Sequence, residues 1–367
     1  MNLSFSSKLQ NMNMIDEASQ AMAQEHSSTL PSSPTGAKEP DSQYVVGADI
    51  GGTRLRLALA DHTGAILGRW SASTTGSVDA MMVLHLVREG VDALLLEASL
   101  PPEALSAIAA GAPGVTNADK GVVIATSYLM GWRDVPLRQM LETEFGVPAS
   151  VDNDVNLAAI GEQRAGLAQG ASDFVFLAIG TGIGAGIVLN SEVHRGSIWT
   201  AGEIGYMLVP GTSDAPVERG KPGALESIVG GEGIKGQWQT RWSKDVTTLG
   251  KYATATEIFD HALESNSLAQ EVLKLVARTL AYAIYNTSLI LNSPLFVLGG
   301  SVGTHPALGD ATRRVLQERG ARVQPKLICS ALGADAQLIG AIFVALKAAK
   351  KKTLSKELHR PQVHLTS

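Results

Sequence analysis

An asparagine–aspartate pair, Asn153-Asp154, stands where the sequence pattern changes from a short strand to a helix. Turn residues 146–150 precede the pair, and apolar residues at helical spacing follow it as far as Gly166. One interpretation is a helix cap, because Asn and Asp oxygens accept the N–H groups of a first helical turn. The other is catalytic, since a carboxylate beside a phosphate site can take the proton of an attacking hydroxyl. Asp154 is therefore a candidate general base, which a helix N-terminus would keep charged.

Two turns of glycine and threonine give a second chemical signal. Gly51-Gly52-Thr53 and Gly180-Thr181-Gly182 each join two apolar segments with strand character. Such turns occur in ordinary hairpins, because glycine adopts positive φ easily. They also suit phosphate binding, since backbone N–H groups can approach an anion where no side chain intervenes. The second turn fails the dinucleotide fingerprint spacing, and no P-loop motif occurs in the chain.

Further acidic and glycine positions extend this interpretation. Asp49 lies just before the first turn and could hold Mg²⁺ through water. Gly299-Gly300 follows another buried strand and strengthens a nucleotide-binding interpretation. Glu203 lies in a glycine-flanked apolar stretch and could accept hydrogen bonds from sugar hydroxyls, although a surface carboxylate on a loop is the simpler interpretation. Glu226 is a similar but weaker case.

The elements that would position these residues form two similar units. The first unit opens with predicted strands at 44–50, 54–60 and 65–70. The second opens with predicted strands at 174–179 and 185–190, again on either side of a glycine–threonine turn. We therefore predict an α/β fold with a duplicated α/β unit, whose two lobes face a cleft.

Domain boundaries follow from pattern and composition. Residues 1–43 are poor in branched apolar residues and are predicted to form a disordered tail. A small N-terminal lobe is predicted at 44–154 and a larger C-terminal lobe at 155–333. The last helix, 334–347, is predicted to pack back on the first lobe, and residues 350–367 are predicted to be a flexible tail.

Composition limits the class of protein. The chain has 367 residues, 45% apolar and 18% charged, with a net charge of −5, which fits globular domains and argues against a nucleic-acid surface. The single cysteine, Cys329, rules out a disulfide framework and favours a reducing, cytoplasmic setting. The sequence shows neither a signal peptide nor an apolar run long enough to cross a bilayer, so we expect no membrane partner.

Taken together, the motifs resemble those of the ROK family of sugar kinases and repressors, which have the two-lobed actin/hexokinase-like ATPase fold. The resemblance covers nearly all of the chain from Val45 to Ala345. It rests on Asp49-Ile50-Gly51-Gly52-Thr53, Gly111-Ala112-Pro113-Gly114, Gly131-Trp132-Arg133-Asp134-Val135-Pro136-Leu137, Asn153-Asp154, Gly180-Thr181-Gly182-Ile183-Gly184, Ala201-Gly202-Glu203-Ile204-Gly205, Leu298-Gly299-Gly300 and Leu332-Gly333-Ala334-Asp335-Ala336.

The resemblance implies ATP-dependent phosphorylation of a hexose, usually at the 6-hydroxyl, with Mg²⁺ as the metal cofactor. Asp154 falls on the family's catalytic base, and its sugar contacts fall on Asn153, Glu203 and Glu226. Phosphate and ATP contacts are predicted at Asp49, Gly51, Gly52, Thr53, Gly180, Thr181, Gly182, Gly299 and Gly300.

The sequence departs from the family in two places. Many members bind structural zinc through one histidine and three cysteines. Those positions are occupied here by Tyr206, Val217, Arg219 and Ala224, so we predict no structural zinc. The asparagine that usually lies just before Gly131-Trp132 is replaced by Tyr128. Both departures concern the sugar pocket and leave the identity of the sugar open.

The leading hypothesis is a cytoplasmic ATP:hexose kinase of carbohydrate metabolism, with glucose as the expected small-molecule partner and glycolysis as the expected context. Alternatives are a kinase for N-acetylmannosamine or N-acetylglucosamine, a sugar-sensing regulator, and a non-catalytic relative. The regulator would need a helix-turn-helix with a basic recognition helix, and none is visible in the first 43 residues, so we expect no nucleic-acid partner. A homodimer is expected by analogy with the family alone.

Overall fold

The computed structural model describes residues 43–75, 79–126, 129, 131–218, 221–245, 247–319 and 324–358. The strands within these ranges are β1 (Tyr44–Ile50), β2 (Arg54–Ala60), β3 (Ile66–Ser73), β4 (Leu105–Ala112), β5 (Val115–Asn117), β6 (Val122–Ala125), β7 (Arg133–Val135), β8 (Ala149–Asn153), β9 (Phe174–Ile179), β10 (Ile183–Leu189), β11 (Glu192–Val193), β12 (Leu295–Gly299) and β13 (Lys326–Cys329). The α-helices are α1 (Ala80–Glu97), α2 (Leu137–Phe145), α3 (Asp154–Ala165), α4 (Glu226–Val229), α5 (Gly231–Arg241), α6 (Ala255–Leu263), α7 (Ser267–Leu291), α8 (Gly300–Gly303), α9 (Pro306–Glu318) and α10 (Ala336–Leu358).

Two five-stranded sheets have the same topology. The strand order is β3-β2-β1-β4-β8 in the first sheet and β11-β10-β9-β12-β13 in the second. In each sheet the first three strands in chain order form an antiparallel meander. The fourth strand, β4 or β12, pairs parallel to the innermost strand of the meander, and the fifth, β8 or β13, pairs parallel to the fourth. The predicted duplication of an α/β unit is therefore confirmed. We call the sheets, with the helices packed on them, the first and second lobes.

The central strand of the first sheet is covered on both faces, which explains its continuous apolar sequence. On one face Val46, Ala48 and Ile50 belong to a core shared with α1. On the other face Val45 belongs to a core shared with α10. The edge strand β3 instead alternates between half-buried and exposed side chains along its whole length, because only one of its faces meets the core.

Two helices, α3 and α10, connect the lobes. Helix α3 follows β8 of the first sheet and packs on β9 and β10 of the second. Helix α10 follows β13 of the second sheet and packs on β1 and β4 of the first. The helices cross in close contact, because a Cβ at Gly340 would lie 1.8 Å from the carbonyl oxygen of Leu157 and one at Gly161 would lie 2.1 Å from that of Ala336. Neither position has room for a larger residue.

The last helix is longer than the sequence pattern predicts. It begins at Ala336 and continues to Leu358, past the predicted end at Lys347, so part of the predicted tail at 350–367 is helical. Its apolar side continues through Ala345, Leu346 and Ala349, which are buried against the first lobe, and lysine is compatible with a helix. Residues 1–42 and 359–367, the remaining parts of the two predicted tails, lie outside the described residues. Among the described residues, no helix combines the length and the apolar character that a membrane span requires.

Candidate active site

A cavity of about 1090 Å³ lies between the lobes. The first lobe contributes Gly114, Val115 and residues at the end of β6 to its wall. The second lobe contributes the loop after β9, the segment around Glu203 and the first residues of α4 and α5. A cavity that both lobes line would change shape if the lobes moved relative to each other.

Asp154 lies at the first position of α3 and is partly buried. The cap of this helix is the preceding residue, because Asn153 Oδ1 accepts hydrogen bonds from the N–H groups of Val155 and Asn156 at 2.9 and 3.1 Å. Asn153 Nδ2 donates to the carbonyl of Gly114 at 2.9 Å. The cap interpretation therefore applies to Asn153, whereas the Asp154 carboxyl accepts from the adjacent N–H of Val155 at 2.9 Å.

The pKa of Asp154 is raised from its ordinary value of 3.8 to about 7. Burial is the main cause, and the negative charges of Asp49 and Glu203 add to it, while the hydrogen bond from Val155 opposes it. The expectation that the helix N-terminus would keep this carboxyl charged is wrong for the ligand-free protein, because burial and like charges outweigh the helix. The three carboxyls are close enough to influence one another.

Asp49 occupies the carboxyl end of β1 and is buried. Arg56, opposite it on β2, donates to Asp49 Oδ2 from Nε at 2.9 Å and also from Nη2. Arg56 also donates to Gln337 of α10 at 3.0 Å. Burial raises the pKa of Asp49, and the Arg56 charge opposes this shift. Asp49 Oδ1 accepts no hydrogen bond from the part of the chain that the structure describes, so one carboxylate oxygen is available to a cation.

Glu203 and Glu226 lie on the second lobe and line the cavity. Gly202 brings Glu203 against β10: it has φ +96°, its carbonyl accepts from Ala185 N–H at 2.9 Å, and a Cβ there would lie 1.9 Å from the Ala185 oxygen. The pKa of Glu203 is raised, first by partial burial and then by the Glu226 charge, although the residue as a whole is exposed to solvent, which weakens this shift. Glu226 Oε2 accepts from Ile183 N–H at 3.2 Å.

The second glycine turn is fixed by the first turn of α5. The N–H of Gly231 donates to the carbonyl of Gly180 at 2.8 Å, and that of Glu232 donates to the carbonyl of Thr181 at 3.1 Å. The Thr181 residue is exposed and lines the cavity. Because the carbonyls of this turn point to α5, its conformation is set before any ligand binds.

The first glycine turn lies beside Asp49 but does not line the cavity. The Thr74 hydroxyl donates to the carbonyl of Gly51 at 2.7 Å, and the N–H of Thr74 donates to the carbonyl of Thr53 at 3.1 Å. Between these two contacts, Gly52 is half-buried and Thr53 is exposed at the end of the hairpin.

Gly299 and Gly300 do not line the cavity either, and packing explains why both are glycine. A Cβ on Gly299 would lie 2.2 Å from the Phe176 ring. Gly300 has φ +81°, and a Cβ there would lie 2.4 Å from the carbonyl oxygen of Ile179. The pair thus allows β12 and α8 to lie close to β9. This packing accounts for the glycines without any contact to a nucleotide.

Two positions without motif signals also belong to the neighbourhood of the site. Arg56 holds Asp49, as described above, and Arg195 of the second lobe binds Asp152 of the first lobe through Nε at 3.0 Å and through Nη2. The sequence gives no sign of either pair, since charged residues 7 and 43 positions apart meet only through the fold.

The positions of the family's zinc site are occupied as follows. Tyr206 and Val217 are exposed residues that line the cavity, and Ala224 is buried. Tyr128 and Arg219, named in the sequence predictions, lie outside the described residues. Within the described ranges no group of three or more His, Cys, Asp or Glu side chains is arranged to hold a metal ion.

Comparison with known proteins agrees with this architecture. The model of the ROK family matches residues 45–348. A glucokinase from Halalkalibacterium halodurans is 33% identical over 267 residues, 71% of this chain and 81% of the relative. An N-acetylmannosamine kinase from Escherichia coli is 29% identical over 70% of this chain and 83% of its own length. A xylose repressor from Caldicellulosiruptor bescii is 24% identical over 76% of this chain and 71% of its own length.

Among solved structures, the ROK hexokinase from Thermus thermophilus superposes with a TM-score of 0.68 at 28% identity, covering 84% of this chain and all of that one. The predicted two-lobed actin/hexokinase-like fold is thereby confirmed. The family match spans both glycine turns, Asp154 and both glutamates, and the catalytic residues proposed below lie within it. The chain belongs to the ROK family, as an ATP-dependent sugar kinase.

Proposed function

We propose that this chain transfers the γ-phosphoryl group of ATP to a hexose, with glucose and its 6-hydroxyl as the first candidates. The observation that carries the proposal is the position of Asp154. Its carboxyl lies at the start of α3, within electrostatic reach of Asp49 and of Glu203, which lines the interlobe cavity, and it has a pKa of about 7. A carboxyl with that pKa is half ionised near neutral pH and can accept a proton from an attacking hydroxyl.

In this proposal each lobe supplies one part of the reaction. Asn153, Glu203 and Glu226 form hydrogen bonds with sugar hydroxyls. Asn153 also fixes the start of α3, so that the Asp154 carboxyl meets the hydroxyl that reacts. Thr181 and the N–H groups of its turn bind phosphate, as do Gly51, Gly52 and Thr53 on the other lobe. Gly299 and Gly300 contact the adenosine side of ATP in this proposal, where the absence of side chains lets a nucleotide approach the backbone. The lobes, residues 44–154 and 155–333, close on the substrates and exclude water, which would otherwise compete as acceptor.

The residues near Asp154 suit Mg²⁺. This ion takes oxygen ligands, keeps several waters, and is commonly held by one or two carboxylates together with substrate phosphates. Asp49 has one carboxylate oxygen available, and the lack of a larger ligand cluster among the described residues fits an ion held mainly by phosphate and water. Bound Mg²⁺ would neutralise charge on the transferring phosphoryl group. Asp49, and Asp154 through water, are the residues that would hold it.

A second candidate substrate is an N-acetylated hexosamine. The cavity of about 1090 Å³ has room for an acetamido group, and Tyr206 and Val217 give its wall apolar surface where an acetyl methyl could lie. The E. coli N-acetylmannosamine kinase among the relatives favours the same alternative. The two candidates, a hexose and an N-acetylated hexosamine, differ only as substrates, and the proposed roles of Asp154, Glu203 and Glu226 are the same for both.

The test is a coupled ADP-release assay with MgATP and a panel of hexoses and N-acetylhexosamines. We expect glucose-dependent ADP release that falls on the order of 10³-fold in kcat in Asp154→Asn, because the base also positions the hydroxyl. ADP release with N-acetylhexosamines alone would identify the second candidate, an N-acetylated hexosamine, as the substrate. Sugar binding without ADP release would refute the kinase proposal and favour a sensor, like the repressor relative.

We further propose a cytoplasmic setting, because a chain with one cysteine cannot form an intramolecular disulfide, the bond that an oxidising compartment favours. A homodimer is proposed from the family alone, and sedimentation of the purified chain would test it.

A further inference from the structure

Asp152, two residues before the proposed base, is a buried carboxylate whose two oxygens are both occupied. Oδ1 accepts from the N–H of Asn153 at 2.8 Å and from Asn156 Nδ2 at 3.1 Å. Oδ2 accepts the two hydrogen bonds from Arg195. Asp152 thus holds the residues on both sides of Asp154, and it also carries the connection to the second lobe.

Arg195 belongs to the segment that leads to Glu203. It follows β11, and its Nη1 donates to the carbonyl of Val193 at 3.1 Å. Its own carbonyl accepts from the N–H of Ala201 at 3.2 Å, which closes the loop just before Gly202 and Glu203. The guanidinium is therefore fixed to the second lobe at one end and to the base-bearing strand β8 of the first lobe at the other.

We propose that the Arg195–Asp152 ion pair is a positioning device that sets the Asp154 base and the Glu203 sugar contact relative to each other. The polar groups of Arg195 and Asp152 are taken up by each other and by neighbouring residues, so we assign the pair a positioning role and no contact with the reacting atoms. Replacing Arg195 with a neutral residue would remove both hydrogen bonds to Oδ2 of the buried Asp152 side chain and leave that oxygen without a partner. A shift of Asp152 would then disturb the start of α3, and the loop that carries Glu203 would lose its link to the first lobe.

The inference rests on the proposed function, and it predicts a particular kinetic pattern. In Arg195→Gln, kcat should fall about 10- to 100-fold, because displacements near 1 Å have effects of that order on positioned reactants. The KM for the sugar should rise at least about fivefold through Glu203, and the KM for ATP should stay within about twofold, because neither loop end contacts the second glycine turn. Arg195→Lys, which keeps the charge but not the two-pronged contact, should lose less than Arg195→Gln but at least about threefold in kcat.

The control is Arg69→Gln. Arg69 of β3 pairs with Asp335, just before α10, at 2.8 Å, but this pair is solvent-exposed and neither residue lines the cavity. The Arg69→Gln variant should have the same kcat and the same KM values for sugar and ATP as the parent. Parent-like kcat and sugar KM in Arg195→Gln, with only a lower melting temperature, would overturn the proposal and reduce the pair to a structural contact. If Arg195→Gln does not fold, parent-like kinetics in Arg195→Lys would overturn it equally.

Hydrogen–deuterium exchange separates this proposal from the kinase proposal, since it needs no turnover. In Arg195→Gln, or in Arg195→Lys if the glutamine variant does not fold, exchange should rise at Asn153 and at Ala201 together, although 48 residues separate them in the chain. Unchanged exchange at both sites, compared with Arg69→Gln, would overturn the positioning role even if the chain phosphorylates a sugar. Raised exchange at both sites in a chain that proves inactive would support the positioning role while the kinase proposal fails.

Discussion

The raised pKa of Asp154 predicts that Asp154→Asn makes the ligand-free protein more stable while removing its activity. The folded protein binds the Asp154 proton more tightly than the unfolded chain does, since the pKa is about 7 in the fold and 3.8 otherwise. Stability from this group is therefore present at low pH and is lost as the pH rises from about 3.8 to about 7. Asparagine carries no charge at any of these pH values and avoids the loss.

The magnitude follows from the two pKa values. Moving a carboxyl from 3.8 to about 7 costs the folded state roughly 4 kcal/mol once the group is ionised, and about 2.5 kcal/mol of this develops between pH 5 and pH 8. Solvent reaches part of the Asp154 side chain and reduces the effect. We therefore expect the stability difference between Asp154→Asn and the parent to grow by roughly 1 to 2.5 kcal/mol over that interval.

Urea unfolding at pH 5 and pH 8, without nucleotide, sugar or Mg²⁺, measures this difference directly. Asp214→Asn is the matched control, because it makes the same replacement at an exposed loop position that does not line the cavity. A constant difference between Asp154→Asn and the parent from pH 5 to pH 8 would refute the argument that burial, Asp49 and Glu203 raise this pKa. A decreasing difference would mean that the site stabilises the charged carboxylate.

Three further predictions follow from the same geometry. The kcat/KM of the parent should rise with pH and reach half its plateau near pH 7, because Asp154 must be ionised to act as a base; a flat profile from pH 5.5 to 8.5 would exclude this role. Glu203→Gln should raise the KM for the sugar about 10-fold or more with a smaller change in kcat, since it removes an acceptor of the sugar and not the base; steady-state kinetics with varied sugar decides. Gly340→Ala should destabilise the protein by about 2 kcal/mol or more, because its Cβ would meet the Leu157 carbonyl, whereas Gly236→Ala, a helical glycine with open space, should stabilise it by about 0.5 to 1 kcal/mol. Equal melting temperatures for the two glycine variants would contradict the close helix crossing.

The features that the sequence predicts correctly depend on neighbouring residues or belong to a family motif. The strand–turn–strand pattern around each glycine–threonine turn needs only neighbouring residues, and both hairpins form where the pattern indicates. The cap interpretation and the catalytic interpretation of the Asn153-Asp154 pair were left open by the sequence. The structure assigns the cap to Asn153, through two N–H bonds that a linear pattern cannot distribute between adjacent residues.

What the sequence could not predict depends on residues far apart in the chain. The predicted charged state of Asp154 considered only its own helix, whereas its pKa is raised first by burial and then by the charges of Asp49 from β1 and Glu203 from the second lobe. Gly299 is glycine because of the Phe176 ring on a neighbouring strand. The Arg195–Asp152 pair joins an arginine outside every family motif to a carboxylate beside the base. Each of these facts requires the strand order of a sheet or the contact between lobes.

The position of Asp154 on α3 explains how one carboxyl can serve a site that two lobes share. Helix α3 starts at Asp154 and crosses α10 within a few residues, at the contact between Gly340 and the Leu157 carbonyl. That contact leaves no room for the helices to slide, so a rotation of one lobe against the other would turn about the crossing, close to the proposed base. In such a rotation Asp154 would keep its place relative to β8, because Asn153, the last residue of β8, caps α3.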